Sequence, residues 1–167
     1  MIEFMIIAAP RSGTTWAANW LTTDNTLCLH DPLWTRHYSE LDSIKSLKTV
    51  GISCTGIMYF HEFLNKHSAR KVILHRDLNE INKSLCDIGL TEMEQKNIDV
   101  LSKINGIHRH WTEIFDSPKK IYEYLLELPF DEERHDQLKE IEMQPHFDGL
   151  TIGKETTRKF LEELRSI

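Results

Sequence analysis

The sequence lacks long apolar runs and a surplus of positive charge. No stretch of its 167 residues approaches the roughly 20 apolar residues that a membrane-spanning helix requires. Glu3 stands where a secretory signal would carry basic residues, and the apolar run after it is too short for such a signal. The formal net charge of -6 argues against broad binding to nucleic acid or to a membrane surface. We therefore expect a cytoplasmic protein without nucleic-acid or membrane partners.

Cysteine is scarce, and its spacing indicates neither a disulfide framework nor a zinc site. Cys28, Cys54 and Cys86 are odd in number and form no C-x-x-C pair, so we expect reduced thiols. The His-Arg-His segment at residues 108–110 lies in a predicted helix, where residues two apart do not share a face. We therefore expect no metal site in this segment.

The usual nucleoside-triphosphate loop, G-x-x-x-x-G-K-[ST], is also absent. In its place stands Pro-Arg-Ser-Gly-Thr-Thr-Trp at residues 10–16, directly after an apolar run at residues 4–9. A strand, a tight turn and a helix start form a cradle whose backbone N–H groups hold an anion. Gly13 allows close approach of the backbone, and Arg11, Thr14 and Thr15 add side-chain donors. The motif predicts a phosphorylated ligand, although an ordinary strand-to-helix turn would carry a similar glycine.

The first half of the chain alternates short apolar runs with helical patterns. Strands are predicted at residues 4–9, 26–30, 49–53 and 71–75, and helices at 15–21, 39–47, 57–66 and 78–86. This alternation is typical of a three-layer α/β fold, here with a central parallel sheet of about four to five strands. Because ligands lie beyond the carboxyl ends of parallel strands, we expect residues 10–15, 30–31 and 76–77 to share one edge.

The second half of the chain is predicted to be helical. Helices are expected at residues 91–104, 108–115, 118–126, 131–141 and 155–164. Thr91 and Glu94 fit a capping box at the start of the first of these helices. No low-complexity linker separates the halves, so we expect one domain over residues 1–167, with an α/β part (1–90) and a helical part (91–167).

Two motifs in the first half resemble those of sulfotransferases. Residues 10–16 resemble the 5′-phosphosulfate loop of that family, and Arg76 followed by Ser84 resembles its 3′-phosphate motif. The resemblance covers about the first 90 residues. It implies a P-loop, nucleotide-kinase-like fold and 3′-phosphoadenosine 5′-phosphosulfate (PAPS) as the sulfuryl donor, with no metal. A guanidinium and a hydroxyl can bind the 3′-phosphate dianion that distinguishes this donor from ordinary nucleotides.

The resemblance also implies roles for individual residues. It assigns the 5′-phosphosulfate to loop residues Arg11, Ser12, Gly13, Thr14 and Thr15, and the 3′-phosphate to Arg76 and Ser84. Arg11 would also stabilise charge on the leaving oxygen. Trp16 would stack on adenine, although a position in the core is equally compatible with the sequence.

An acidic residue followed by proline ends the second predicted strand, as in many bacterial members of the family. Asp31 is therefore expected to take the proton of the acceptor, with His30 as the rival base. The acceptor, a small molecule or a glycan, would present a hydroxyl or an amine. Trp34, Arg36, His37 and Tyr38 could line its pocket, or this loop could simply cover the edge of the sheet.

Two departures from the family keep other functions open. The chain is short, and residues 149–154 are a poor counterpart of the glycine-rich basic segment that completes the donor site in larger members. A turn is the simpler interpretation of that segment. One alternative is a small-molecule kinase on the same P-loop scaffold, which the missing Gly-Lys-[Ser/Thr] disfavours. The other is a non-catalytic binding protein that keeps the fold.

Overall fold

A five-stranded parallel sheet organises the computed structural model, which describes residues 1–141. The strands are β1 (Ile2–Ala8), β2 (Thr26–His30), β3 (Thr49–Cys54), β4 (Arg70–His75) and β5 (Ile107–His110). They pair in the order β2-β3-β1-β4-β5, so that β1 lies at the centre. Every pairing is parallel, which confirms the predicted α/β class and the predicted sheet.

Helices connect the strands and follow the sheet. They are α1 (Thr14–Trp20), α2 (His61–Lys66), α3 (Leu78–Cys86), α4 (Gln95–Asp99), α5 (Glu113–Asp116), α6 (Lys119–Leu126) and α7 (Glu132–Lys139). Short 3₁₀-helices occupy Pro32–Trp34, Tyr38–Ser43, Gly56–Tyr59 and Val100–Lys103. Within residues 1–141, no helix is long and apolar enough to cross a membrane. The helix predicted at 155–164 and the segment 149–154 lie outside the described residues.

Both faces of the sheet are covered, because side chains alternate between the faces along each strand. In β1, Phe4 and Ile6 pack in one cluster with residues of α1 and α6. Met5 and Ile7 point to the opposite cluster, which includes residues of α2 and α3. In β3, a Cβ on Gly51 would lie 2.1 Å from a ring carbon of Phe4, so glycine makes room for that ring. This arrangement agrees with a three-layer α/β fold.

The prediction of a helix over residues 108–115 is wrong. Residues 107–110 form the edge strand β5, in which Ile107 pairs with Val72 and His110 pairs with His75 of β4. Helix begins only at Glu113. Pairing with a neighbouring strand overrides the weak local preference for helix in a segment that has one apolar residue in four.

The same change of conformation affects the two histidines of this segment. In a strand, His108 and His110 lie on the same face, so the helical spacing used above to exclude a metal pair does not apply. Even so, no group of three or more potential metal ligands occurs within the described residues.

The capping box predicted at Thr91 and Glu94 is wrong as well. The helix starts at Gln95, with Glu94 as an extended residue before it. The side chain of Asn82 accepts a bond from the Met93 N–H at 2.8 Å and donates to the Met93 carbonyl at 3.0 Å. The second of these bonds engages the Met93 carbonyl, which in a helix from residue 91 would accept from the Asn97 N–H. The helices predicted at 39–47 and at the start of 57–66 are 3₁₀ turns.

Candidate functional site

Two residues of the loop after β1 have a left-handed backbone conformation before α1 begins. Arg11 has a φ of 64° and Gly13 a φ of 79°. The carbonyl of Gly13 accepts the first helical hydrogen bond, from the Ala17 N–H at 2.9 Å. A side chain at Gly13 would be strained by this φ, and its Cβ would lie 2.9 Å from Ile114 Cδ1. The tight turn therefore requires glycine at this position.

Hydroxyl groups gather in this loop, and one of them is unsatisfied. Ser12 is fully buried, and its hydroxyl has no hydrogen-bond partner within residues 1–141. Leaving a buried hydroxyl unpaired costs about 1–3 kcal/mol, which a ligand atom or a water could recover. The hydroxyls of Thr14 and Thr15 lie 3.3 and 3.2 Å from His30 Nε2. The loop thus offers hydroxyl donors where β1 ends, beside the end of β2.

The two motifs predicted to bind the two ends of one ligand meet in the structure. Arg11 Nε donates to Ser84 Oγ at 2.8 Å across a sequence separation of 73 residues. Arg76 Nη1 donates to the carbonyl of Arg11. These contacts form because β1 and β4 are neighbours, and the loop and α3 leave the same edge of the sheet. Within the described residues, the other N–H groups of Arg11 have no hydrogen-bond partner.

Arg76 is held from three sides. Its Nε donates to Glu80 Oε2 at 3.0 Å, one turn further along α3. Its guanidinium carbon lies 4.2 Å from the centre of the Trp111 ring. The Arg76 side chain is 17 % exposed, against 51 % for Glu80. The guanidinium is therefore held in position at the edge of the sheet, with a small part of the side chain open to solvent.

His30 and Asp31 lie at the end of β2, beside the threonines of the loop. His30 Nε2 is 3.2 Å from Asp31 Oδ2. The side chain of His30 is 37 % exposed and that of Asp31 is 13 % exposed. A group arriving from solvent would therefore meet His30 first, with Asp31 behind it.

Thr55 fixes the carboxylate of Asp31 from the protein side. Its backbone N–H donates to Asp31 Oδ1 at 2.6 Å, and its hydroxyl lies 3.1 Å from the same oxygen. Asp31 has a φ of 40°, so this contact accompanies a backbone conformation that non-glycine residues rarely adopt. Burial, reinforced by the nearby charge of Asp31, raises the pKa of the Cys54 thiol to about 12. Cys54 therefore stays protonated beneath the carboxylate.

Trp16 lies in the core, although the sequence left both a core and a ligand position open. It is 7 % exposed. Its ring centre lies 5.4 Å from Trp20 and 4.7 Å from Phe115, and its Nε1 donates to the Leu138 carbonyl at 3.2 Å. Because these residues surround the indole, an adenine has no open face of Trp16 to stack on in this arrangement.

The residues expected near an acceptor divide into two kinds. Trp34 is 88 % exposed, on the 3₁₀ turn that starts directly after Asp31. Tyr38 instead packs among rings, 4.2 Å from both His37 and Phe60. Arg36 and His37 are exposed. Only part of this loop therefore presents side chains to solvent beside Asp31, while Tyr38 helps to cover the structure beneath it.

Three residues of the site were missed by sequence reasoning. Thr55 follows the end of β3, so the strand-end argument applied to the other strands would have found it. Glu80 lies one helical turn after Arg76, a spacing at which opposite charges pair. Trp111 could not be found in this way, because the strand that places it was predicted to be a helix.

Two cavities of the described residues lie away from the predicted site. A cavity of about 850 Å³ is bordered by α5, α6 and α7, and one of about 650 Å³ lies near the end of α1. Neither is lined by a residue of the predicted site.

No family model matches the sequence, and neither a curated protein nor a solved structure matches the chain. Function is therefore inferred from the residues and their geometry alone.

Proposed function

We propose that the protein is a sulfotransferase-like enzyme that transfers a sulfuryl group from PAPS to a hydroxyl or amine. The observation that carries the proposal is the contact between Arg11 and Ser84, with Arg76 bonded to the Arg11 carbonyl. These residues come from the two motifs that resemble the donor-binding motifs of sulfotransferases. A nucleotide with phosphate groups on both the 3′ and the 5′ oxygen of its ribose would need both motifs at one edge.

The residues present fit such a donor chemically. Ser12 has a buried hydroxyl without a partner in the described chain, and Arg11 donates only through Nε. Arg76 uses two of its five N–H groups, toward Glu80 and the Arg11 carbonyl. Guanidinium groups with unused donors are suited to phosphate and sulfate oxygens. In this proposal Arg11 and the loop hydroxyls bind the 5′ end, and Arg76 with Ser84 binds the 3′-phosphate.

The donor supplies an activated sulfuryl group, and the protein supplies position and charge. A new bond forms between the acceptor oxygen or nitrogen and sulfur, while the bond from sulfur to the phosphate oxygen breaks. Asp31 receives the proton of the acceptor, with His30 as the rival base. Arg11 stabilises the negative charge that develops on the departing phosphate oxygen. The products are the sulfated acceptor and 3′-phosphoadenosine 5′-phosphate.

Thermal shift with three nucleotides tests this proposal. We expect 3′-phosphoadenosine 5′-phosphate to raise the melting temperature of the wild type more than ADP does. The shift should shrink in Ser84→Ala and persist in Ser102→Ala, whose exposed hydroxyl donates to the nearby Asp99 carbonyl. A larger shift with ATP and Mg²⁺ would favour the kinase alternative. Binding of the bisphosphate without transfer to any acceptor would favour the non-catalytic alternative.

A further inference from the structure

Trp111 stands directly after β5, where it extends the pairing of that strand with β4. Its backbone N–H donates to the His75 carbonyl at 2.9 Å. This bond brings the indole beside the residue that follows His75, which is Arg76. The guanidinium carbon of Arg76 lies 4.2 Å from the ring centre, the geometry of a cation–π contact.

The ring differs from the other two groups that hold Arg76. Glu80 and the Arg11 carbonyl each occupy an N–H group that a bound anion would also use. Glu80 in addition carries a negative charge that repels a phosphate. The indole contacts the face of the guanidinium and uses none of its N–H groups. Its contact can therefore persist while those groups turn toward an anion.

The polar end of the indole takes no part in this contact. Trp111 Nε1 is buried and has no hydrogen-bond partner within residues 1–141. The ring also packs edge-to-face against Phe115, with centres 5.9 Å apart. What Trp111 offers to Arg76 is thus an aromatic face of fixed position, and phenylalanine could replace it without the loss of a hydrogen bond.

We infer that Trp111 is a positioning residue that orients Arg76 and thereby sets the preference of the site for ligands with a 3′-phosphate. This inference rests on the proposed function. It predicts that loss of the aromatic face weakens the binding of a ligand that contacts Arg76. It predicts no effect on a nucleotide that lacks the 3′-phosphate.

The test is the ratio of two dissociation constants, that for ADP over that for 3′-phosphoadenosine 5′-phosphate, measured by calorimetry. Trp111→Met keeps an apolar side chain but removes the aromatic face, and we expect it to lower the ratio about fivefold. Trp111→Phe restores an aromatic face and should stay within about twofold of the wild type. Tyr59→Met, at an exposed aromatic residue with no role in the proposed site, should leave the ratio unchanged.

The ratio also separates a positioning role from a purely structural one. Partial unfolding of Trp111→Met would reduce the active fraction for both ligands alike, and the ratio would not move. An unchanged ratio in Trp111→Met, with the wild type preferring the bisphosphate, overturns the inference and leaves the proposed function standing. If the wild type shows no preference, both fail.

Discussion

At the end of β2, His30 and Asp31 lie one behind the other, 3.2 Å apart, and the imidazole of His30 also faces the hydroxyls of Thr14 and Thr15. Thr55 donates to one carboxylate oxygen of Asp31, and His30 lies against the other. The two side chains therefore form a pair, in which Thr55 orients the inner carboxylate and the outer imidazole is exposed to solvent.

Substitutions at the two positions test the assignment of Asp31 as the base. With labelled PAPS and a panel of phenol, sugar and amine acceptors, Asp31→Asn should lower transfer by about 100-fold or more, because a positioned base contributes that much. His30→Gln should have a smaller effect. Asp24→Asn, at an exposed position after α1, serves as the control. The reverse order of effects would make His30 the base, and full activity in both variants would remove the pair from the mechanism.

Single residues of the site were predictable where a motif fixes both residue type and spacing. Arg11, Arg76 and Ser84 are of this kind, and the structure brings them into contact. The tryptophans were not predictable, because burial depends on packing that no local pattern specifies. Trp16 follows the loop and is buried against Phe115, whereas Trp111 comes from the second half of the chain and lies over Arg76.

The helix α1 carries the loop, and its carboxyl end is held by a distant residue. No basic residue occurs in its last turn. Arg134 of α7 supplies the charge instead, since its terminal nitrogens donate to the carbonyls of Asn19, Trp20 and Thr22 at 2.6–2.9 Å. A positive charge at this end also interacts favourably with the helix dipole. Arg134 therefore links the start of α7 to the carboxyl end of α1.

Removal of these bonds should weaken the whole fold. Arg134→Met keeps much of the apolar stem and leaves the carbonyls without their donor, so we expect a loss of about 2 kcal/mol in the free energy of unfolding. Arg36→Met, at an exposed arginine, should change it by less than about 0.5 kcal/mol. Urea denaturation measures both. Equal stability of the two variants would contradict a role for Arg134 in anchoring α1.

Strands and helices with a strong apolar pattern were predictable, and those defined by pairing were not. The strands β1, β3 and β4 carry apolar runs that are buried on both faces of the sheet, and β2, at one edge, has alternating buried and half-buried positions. The strand β5 has Ile107 as its one apolar residue, and half of its positions face solvent. Its conformation comes from its hydrogen bonds to β4. The segment before α4 is similarly governed by the side chain of Asn82.

At the scale of the whole molecule, the sheet brings together histidines that lie far apart in the chain. His75 Nε2 and His108 Nδ1 are 2.7 Å apart, and the rings are stacked. Burial, followed by the charge of His108, lowers the pKa of His75 below its usual value. As the pH falls through that usual value, the unfolded chain binds a proton that the folded chain does not. Folding is therefore penalised under acidic conditions.

His75→Gln isolates this contribution. Between about pH 7.5 and about pH 5.5, the free energy of unfolding of the wild type should fall more steeply than that of the variant. His110→Gln, at an exposed position on the same strand as His108, should follow the wild type. Urea denaturation at several pH values gives the slopes. If His75→Gln keeps the wild-type slope, the histidine pair does not couple folding to pH.

The proposed function requires that the edge formed by the loop, β4 and α3 recognises a nucleotide with a 3′-phosphate. Isothermal titration of 3′-phosphoadenosine 5′-phosphate and of ADP into wild type and Arg76→Ala measures this recognition. We predict that the wild type prefers the bisphosphate and that Arg76→Ala loses about 2 kcal/mol of binding free energy toward it alone. Equal affinity of the wild type for the two nucleotides would contradict the proposed recognition of the 3′-phosphate.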